Sequence, residues 1–235
     1  MRLDKFVCKS TELSKEQAIG AIHRGELSVN GEVILSEAHQ VHENNSITLL
    51  DEQLKPREFR YIMMHKPAGT VCSNIDEVYP SLFRSLTIDK PSELHIVGRL
   101  DADTTGLVLI TDDGRWSFDI TRPSKHCPKV YRVTLSRALS AEQASRIAAQ
   151  FANGIQLQGE AELTLPATLQ LISQNEVLLT LIQGKFHQVK RMFAAVGNRV
   201  VALHREQIGD VLLDLDVGQW RYLSHDEVAS FRQNL

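Results

Sequence analysis

The chain has 235 residues, with 26 Lys and Arg against 29 Asp and Glu, so its formal net charge is −3 and its pI is near 6.3. This length allows one or two domains, and 43% apolar with 23% charged residues excludes a disordered or fibrous protein. The absence of an apolar run of roughly 18 residues, or of a signal peptide, predicts a cytoplasmic protein without membrane spans. Three widely spaced cysteines predict neither a disulfide framework nor a metal site.

The near-neutral total conceals two segments that contain no acidic residue. Residues 122–132 carry four Lys and Arg, and residues 184–205 carry five. Such segregation can form a basic surface on a protein of low net charge, although two ordinary solvated surfaces would show the same pattern.

The N-terminal residues predict a small domain. Ser14 and Gln17 form a capping box ahead of a helix that Gly25 ends, and Asn30-Gly31 between short alternating segments predicts a hairpin. A polar, proline-containing stretch follows. We therefore predict a domain over 1–54, a linker over 55–58 and a second domain over 59–235.

The pattern of this small domain resembles the S4 RNA-binding domain. The resemblance rests on the segment RLDKF, the following helix and the segment GELSVNG. In that family, basic residues of the helices and hairpin face RNA phosphates, which supply affinity rather than sequence readout. The residues to which this implies an RNA-binding role are Arg2, Lys5, His23 and Arg24.

The larger part predicts an α+β domain with a mixed, largely antiparallel sheet, because its strands outnumber its helices and do not alternate with them. Predicted strands cover 60–65, a short stretch near Val71, 94–97, 107–111, 130–135, 167–172, 177–183, 200–203, 211–213 and 221–223. A helix or loop is expected over 80–86 and a turn at 112–114. Helices are expected from a cap at Ser140 to 152, over 186–196, and after a cap at Ser224.

The densest polar segment, residues 98–106 (GRLDADTTG), lies between two apolar strands. Charged groups there are costly unless they are paired or used in chemistry. The aspartates could simply close a turn. The letters also match the DxDxT loop of Mg²⁺-dependent phosphatases, but Gly98-Arg99 interrupts the buried strand that such a loop follows, and no second acidic motif supplies the metal.

Residues 186–196 predict a helix with one apolar stripe. Val189, Met192, Phe193 and Val196 form the stripe, Lys190 lies on its shoulder, and Arg191 is expected to point further towards solvent. A lysine on the shoulder can bring its ammonium to a partly buried carboxylate. An ordinary surface lysine is the alternative.

A third segment, Lys129-Val130-Tyr131-Arg132, predicts a strand with Lys129 and Tyr131 on one face. The tyrosine could be a core residue with a bonded hydroxyl, or it could stack on a nucleobase between its basic neighbours.

Together these segments resemble the pseudouridine synthases over nearly the whole chain. The matching segments are HKPAG at 65–69, GRLDADTTGL at 98–107, KVY at 129–131 and HQVKRM at 187–192. An S4 domain ahead of the catalytic domain is similar to the branch that modifies bacterial small-subunit ribosomal RNA. Lysine at 190, where many relatives have arginine, favours that branch over its large-subunit cousins.

The resemblance implies how the residues are used. Asp101 is the nucleophile or base, Lys190 is its cationic partner, and Tyr131 stacks on the uracil. Because the reaction reconnects uracil to ribose without net redox change or hydrolysis, no cofactor and no metal are implied, and the chain contains no Gly-rich nucleotide loop. Further RNA-binding residues implied by the motifs are Arg99, which would fill the space left by the flipped base, and Lys129, His187, Gln188 and Arg191.

The implied partner is 16S ribosomal RNA or a small-subunit assembly intermediate, with U516 as the target and a monomeric enzyme. A synthase acting on large-subunit RNA is the alternative. A non-catalytic RNA-binding protein and the Mg²⁺-dependent phosphatase are more remote ones.

Overall fold

The structure is a computed structural model that describes residues 1–233. These residues form two compact units, and the division falls between Glu58 and Phe59.

The first unit contains two helices and a four-stranded antiparallel sheet in the order β2-β1-β3-β4. Its elements are α1 (Leu3–Ser10), α2 (Lys15–His23), β1 (Leu27–Val29), β2 (Glu32–Val33), β3 (Ile47–Leu49) and β4 (Glu52–Gln53). The predicted capping box is present at α2, where Ser14 and Gln17 bond each other's backbone N–H. The predicted hairpin is also present. Asn30 and Gly31 both have positive φ, 52° and 86°, as a type I′ turn requires.

The end of this unit is anchored by Arg57. Its backbone N–H donates to the Lys9 carbonyl, and its guanidinium donates to the carbonyls of Cys8 and Thr11. Arg57 thus satisfies carbonyl groups that the C-terminal end of α1 leaves open. Residues 55–58, expected as a linker, therefore pack with the first unit.

The second unit is built on a mixed sheet of nine strands. Its strands are β5 (Tyr61–Lys66), β6 (His95–Val97), β7 (Thr105–Thr111), β8 (Lys129–Leu135), β9 (Thr168–Ser173), β10 (Glu176–Leu181), β11 (Val200–Ile208), β12 (Val211–Leu212) and β13 (Trp220–Tyr222). The order is β13-β5-β7-β11-β8-β10-β9, with β6 beside β7 and β12 beside β11. Every pairing is antiparallel except β7 with β11. The predicted fold class is confirmed.

Four helices accompany the sheet: α3 (Gly114–Thr121), α4 (Ala141–Ala152), α5 (Gln188–Ala195) and α6 (His225–Gln233). The turn predicted at 112–114 is in fact the start of α3, because the Asp113 carboxylate caps the helix through the N–H groups of Arg115 and Trp116. The strand predicted near Val71 is only an isolated bridge to Ser81. Within residues 1–233 no helix is long and apolar enough to cross a membrane.

Both faces of the central strands are buried. Along β5 and β7, alternate side chains enter two different apolar clusters, so each strand is a nearly continuous apolar run. One cluster contains residues of α4 and α5, such as Phe151 and Phe193, and the other contains Trp116 of α3 and Phe231 of α6. The sheet therefore lies between two helical layers.

Candidate active site

Asp101 lies in the loop of residues 98–104 that joins β6 to β7. The Thr104 N–H donates to the Asp101 carbonyl at 3.1 Å and closes a tight turn. Segment 66–72 holds the same loop: the Gly69 N–H donates to the Ala102 carbonyl at 2.8 Å, and the Cys72 Sγ accepts from the Leu100 N–H at 3.3 Å. The backbone that carries Asp101 is therefore fixed along its length.

Lys66 gives this loop its strongest support. Its side chain is fully buried, and Nζ donates to the carbonyls of Pro67, Ala102 and Thr104 at 3.1, 3.3 and 2.8 Å. Burial lowers the pKa of Lys66 below its ordinary value. Lys66 belongs to the motif at 65–69, but no role was predicted for it from the sequence. Its position at the end of an apolar strand was the available signal.

The predicted pairing of Asp101 with Lys190 is present. The Lys190 Nζ lies 3.0 Å from Asp101 Oδ2 and 2.7 Å from Asp103 Oδ1. Burial disfavours the charged ammonium and by itself would lower the pKa of Lys190. The hydrogen bonds to both carboxylates outweigh this effect, so the pKa of Lys190 is raised. The hydrogen bond from Lys190 lowers the pKa of Asp103. The two aspartates differ in exposure: the side chain of Asp101 is 28% exposed, and that of Asp103 is 72% exposed.

His187 contacts the other oxygen of the same carboxylate. Its Nε2 lies 3.3 Å from Asp101 Oδ1, and its backbone is left-handed, with φ of 49°. Its imidazole stacks on the ring of Phe186, with the ring centroids 3.7 Å apart. Lys190 thus donates a hydrogen bond to one oxygen of the Asp101 carboxylate, and His187 contacts the other.

Tyr131 is buried in the cluster that contains α4 and α5. Its neighbour across the sheet is Arg205 of β11, which sequence reasoning counted only as part of a basic segment. Arg205 is 2% exposed; its Nε donates to the Leu107 carbonyl at 2.8 Å, and its Nη1 lies 3.5 Å from the Tyr131 hydroxyl. The Arg205 side chain thus links Leu107 of β7, the strand that follows the Asp101 loop, to Tyr131 of β8.

Two of the predicted RNA-binding residues have buried side chains. Lys129 donates through Nζ to the Cys127 carbonyl at 2.9 Å, and burial lowers its pKa. Gln188 accepts from the Lys185 N–H at 2.8 Å and closes the turn before α5. Neither side chain is available to a phosphate, so both expectations are corrected. Burial alternates along β8, and Lys129 and Tyr131 are both among its buried residues.

The predicted basic surface is largely neutralised by acids from elsewhere in the chain. Arg132 pairs with Glu176 and Glu206, and Glu160 pairs with both Lys185 and Arg191. The Arg191 side chain is 25% exposed, so it does not point further towards solvent than Lys190. Acid-free segments of sequence are therefore not acid-free surfaces in space.

Five further residues that were predicted to bind RNA lie at the surface. Arg99 and Lys5 are exposed, and their side chains form no hydrogen bond within residues 1–233. The remaining three belong to the first unit and pair with carboxylates: Arg2 with Asp4, His23 with Glu37 and Arg24 with Glu26.

The arrangement around Asp101 differs from that of a magnesium phosphatase. Such an enzyme would turn the carboxylates of Asp101 and Asp103 towards a metal ion. Here both carboxylates turn towards one ammonium, that of Lys190. Over residues 1–233 there is also no group of three His, Cys, Asp or Glu side chains suited to a metal.

Residues 60–195 match the family described as RNA pseudouridylate synthase. The chain belongs to this family. As an RNA pseudouridine synthase, it shares its fold with a pseudouridylate synthase crystal structure at a TM-score of 0.71 and 44% identity, over 98% of this chain and 99% of that one. The membership of the pseudouridine synthase family that the sequence motifs predicted is therefore confirmed.

Several relatives of this synthase carry the name ribosomal small subunit pseudouridine synthase A. The protein from Vibrio cholerae is 47% identical over 98% of this chain and 99% of its own. The protein from Haemophilus influenzae is 46% identical over 97% of this chain and 98% of its own. The protein from Escherichia coli is 44% identical over 98% of this chain and 99% of its own.

Proposed function

We propose that this synthase converts a uridine of small-subunit ribosomal RNA to pseudouridine, with U516 of 16S RNA as the target. Full-length similarity to three enzymes named for the small subunit supports this substrate over large-subunit RNA. The single structural observation that carries the proposal is the Asp101 carboxylate, partly exposed and held by Lys190 and His187. Because ribosomal RNA is made and assembled in the bacterial cytoplasm, we place the enzyme there.

In this proposal Asp101 performs the covalent chemistry. The bond between C1′ and N1 breaks, the uracil turns, and a bond forms between C1′ and C5, while C5 loses a proton and N1 gains one. The ammonium of Lys190 and the imidazole of His187 keep the carboxylate oriented before the uridine arrives. The carboxylate then acts as nucleophile or base on the sugar or the uracil.

The uridine must leave its stack before Asp101 can reach it, at a cost of a few kcal/mol. We assign Arg99 to the space that the base vacates, because it belongs to the Asp101 loop and its planar guanidinium is exposed, with no hydrogen bond to the part of the chain that the structure describes. Tyr131 is assigned to the uracil. Its ring belongs to the buried apolar cluster, and the guanidinium carbon of Arg205 lies 5.9 Å from the ring centroid.

We propose that the first unit is an S4 domain that binds RNA phosphates. Lys5 supports this role most directly, because it is exposed on α1 and its side chain forms no hydrogen bond within residues 1–233. Replacement Lys5→Ala should weaken RNA binding and reduce its salt dependence, since one phosphate contact is lost. The exposed Lys55→Ala is the control. Equal affinity and salt dependence for the two variants would contradict the role of Lys5.

The function is tested by incubating the enzyme with unmodified small-subunit and large-subunit ribosomal RNA, in parallel. Pseudouridine is mapped by carbodiimide treatment and reverse-transcription stops. We expect one stop in the small-subunit RNA, at U516, that persists in EDTA. A stop only in the large-subunit RNA would make the alternative substrate correct. No stop in either RNA, with binding retained, would favour a non-catalytic RNA-binding protein.

A further inference from the structure

Phe186 is an exposed aromatic ring beside the catalytic carboxylate. Its side chain is 76% exposed, although its neighbour His187 contacts Asp101 directly. One face of the ring stacks on the His187 imidazole at a centroid distance of 3.7 Å and an interplanar angle of 21°. This geometry is close to that of two stacked bases, and it leaves the rest of the ring to solvent.

The backbone that carries this ring is tightly held. The Phe186 carbonyl accepts from Arg191 Nη1 at 3.1 Å, and the turn is closed by the bond from the Lys185 N–H to Gln188 Oε1. Glu160 then holds Lys185 and Arg191 together. The exposed ring is therefore presented by a turn that hydrogen bonds and ion pairs hold in place.

Exposed aromatic rings beside a catalytic site are the groups on which proteins stack unpaired nucleobases. We propose that Phe186 is a stacking platform for the base next to the uridine that enters the Asp101 site. The inference rests on the proposed function, since it takes RNA as the substrate. The ring contributes binding rather than chemistry. Its open face receives an unpaired neighbour of the flipped uridine and holds the distorted RNA strand at the edge of the site.

The test compares Phe186→Leu with Phe186→Trp. Leucine keeps the apolar bulk but removes the π face, whereas tryptophan keeps that face. We expect Phe186→Leu to raise KM for the small-subunit RNA about tenfold with little change in kcat, and Phe186→Trp to keep the wild-type KM. Tyr222→Ala, which removes an exposed aromatic side chain from the edge strand β13, should leave both constants unchanged.

A photocrosslink separates stacking from a structural role. RNA carrying 5-iodouridine on either side of the modified uridine should crosslink to residue 186 in the wild type and in Phe186→Trp, and not in Phe186→Leu. The Asp101→Asn variant should keep this crosslink while making no pseudouridine. Unchanged KM in Phe186→Leu, or a lower kcat with unchanged KM, would overturn the platform. A wild-type enzyme that forms no pseudouridine in this RNA would instead overturn the proposed function.

Discussion

The backbone of Arg205 occupies the space that a side chain on Gly106 would need. A Cβ at position 106 would lie 2.3 Å from the Arg205 carbonyl oxygen, and φ at Gly106 is 114°, where only glycine is comfortable. This close approach is the point at which β7 and β11 run parallel, directly after the Asp101 loop. Glycine therefore allows the Asp101 loop to join the sheet next to Arg205.

Replacement Gly106→Ala should therefore destabilise the protein by about 3 kcal/mol or more, because backbone rather than a mobile side chain must move. Gly114→Ala is the matched control, since its Cβ would meet nothing within 4 Å and its φ is not positive. Urea denaturation of both variants measures the difference. Equal stabilities would mean that the two strands can separate at little cost.

The two aspartates of the loop should respond differently to loss of charge. Asp101→Asn should fold and bind RNA almost normally but lose activity by about a thousandfold or more, because the reacting carboxylate is gone. Asp103→Asn should stay within about tenfold of the wild type, since that carboxylate is mainly exposed and braces Lys190. Pseudouridine formed under single-turnover conditions is the measurement. A comparable rate for Asp101→Asn would remove Asp101 from its assigned role.

Lys190 should be needed for activity because it is positively charged and its ammonium contacts both aspartates of the loop. Lys190→Ala leaves the Asp101 and Asp103 carboxylates without their shared cation, so activity should fall by about a hundredfold. Lys190→Arg should restore much of it, because a guanidinium can bond both carboxylates. Pseudouridine formation under the same conditions provides the rates. Wild-type kinetics in the alanine variant would make Lys190 an ordinary surface lysine.

Lys66 and Lys129 provide a comparison between two buried lysines. Each donates its ammonium to backbone carbonyls, but only Lys66 bonds the loop that carries Asp101. Lys66→Met and Lys129→Met should both destabilise the fold, by about 2 kcal/mol, because carbonyl groups lose their donors. At temperatures where both variants are folded, only Lys66→Met should lose activity. Equal activities would show that the loop holds its shape without Lys66.

The stability of the enzyme in acid should depend on Glu227 at the start of α6. Its hydrogen bond with Arg221 lowers the pKa of Glu227 from 4.5 to about 2. The stabilisation is therefore complete above pH 4.5 and is lost as the pH falls towards 2. Glu227→Gln should be less stable at pH 7 by about 1 kcal/mol and should lose less on acidification. Urea denaturation at several pH values measures the free energy of unfolding of each variant, with the exposed Glu142→Gln as control. The same pH dependence in Glu227→Gln and in the wild type would contradict the role of Glu227.

These residues also show how far the sequence could be interpreted. Capping boxes and glycine turns are local signals, so the helices at Ser14 and Ser140 and the Asn30-Gly31 hairpin were predicted closely. The helical pattern alone indicated that the Lys190 ammonium could reach a partly buried carboxylate, whereas the choice of Asp101 as that carboxylate came from the resemblance to the pseudouridine synthases.

Other features depend on contacts between distant segments. Lys66 and Arg205 acquire their roles from the carbonyls of Ala102 and Leu107, which no local pattern identifies. The basic surface was overestimated for the same reason, since Glu160 is far in sequence from the cations that it neutralises. The prediction that Lys129 binds RNA was wrong because its side chain is buried. Alternation along a strand does not show whether a face of the sheet is exposed, and in this sheet both faces are covered.

The buried support of the Asp101 loop affects how substrate binding energy can be used. Lys66 and Gly69 fix the loop through hydrogen bonds that form when the protein folds. The entropy of ordering the backbone of the Asp101 loop is therefore lost during folding, before any RNA is present. Contacts with the RNA need not assemble the site, so their free energy remains available to extract the uridine from its stack.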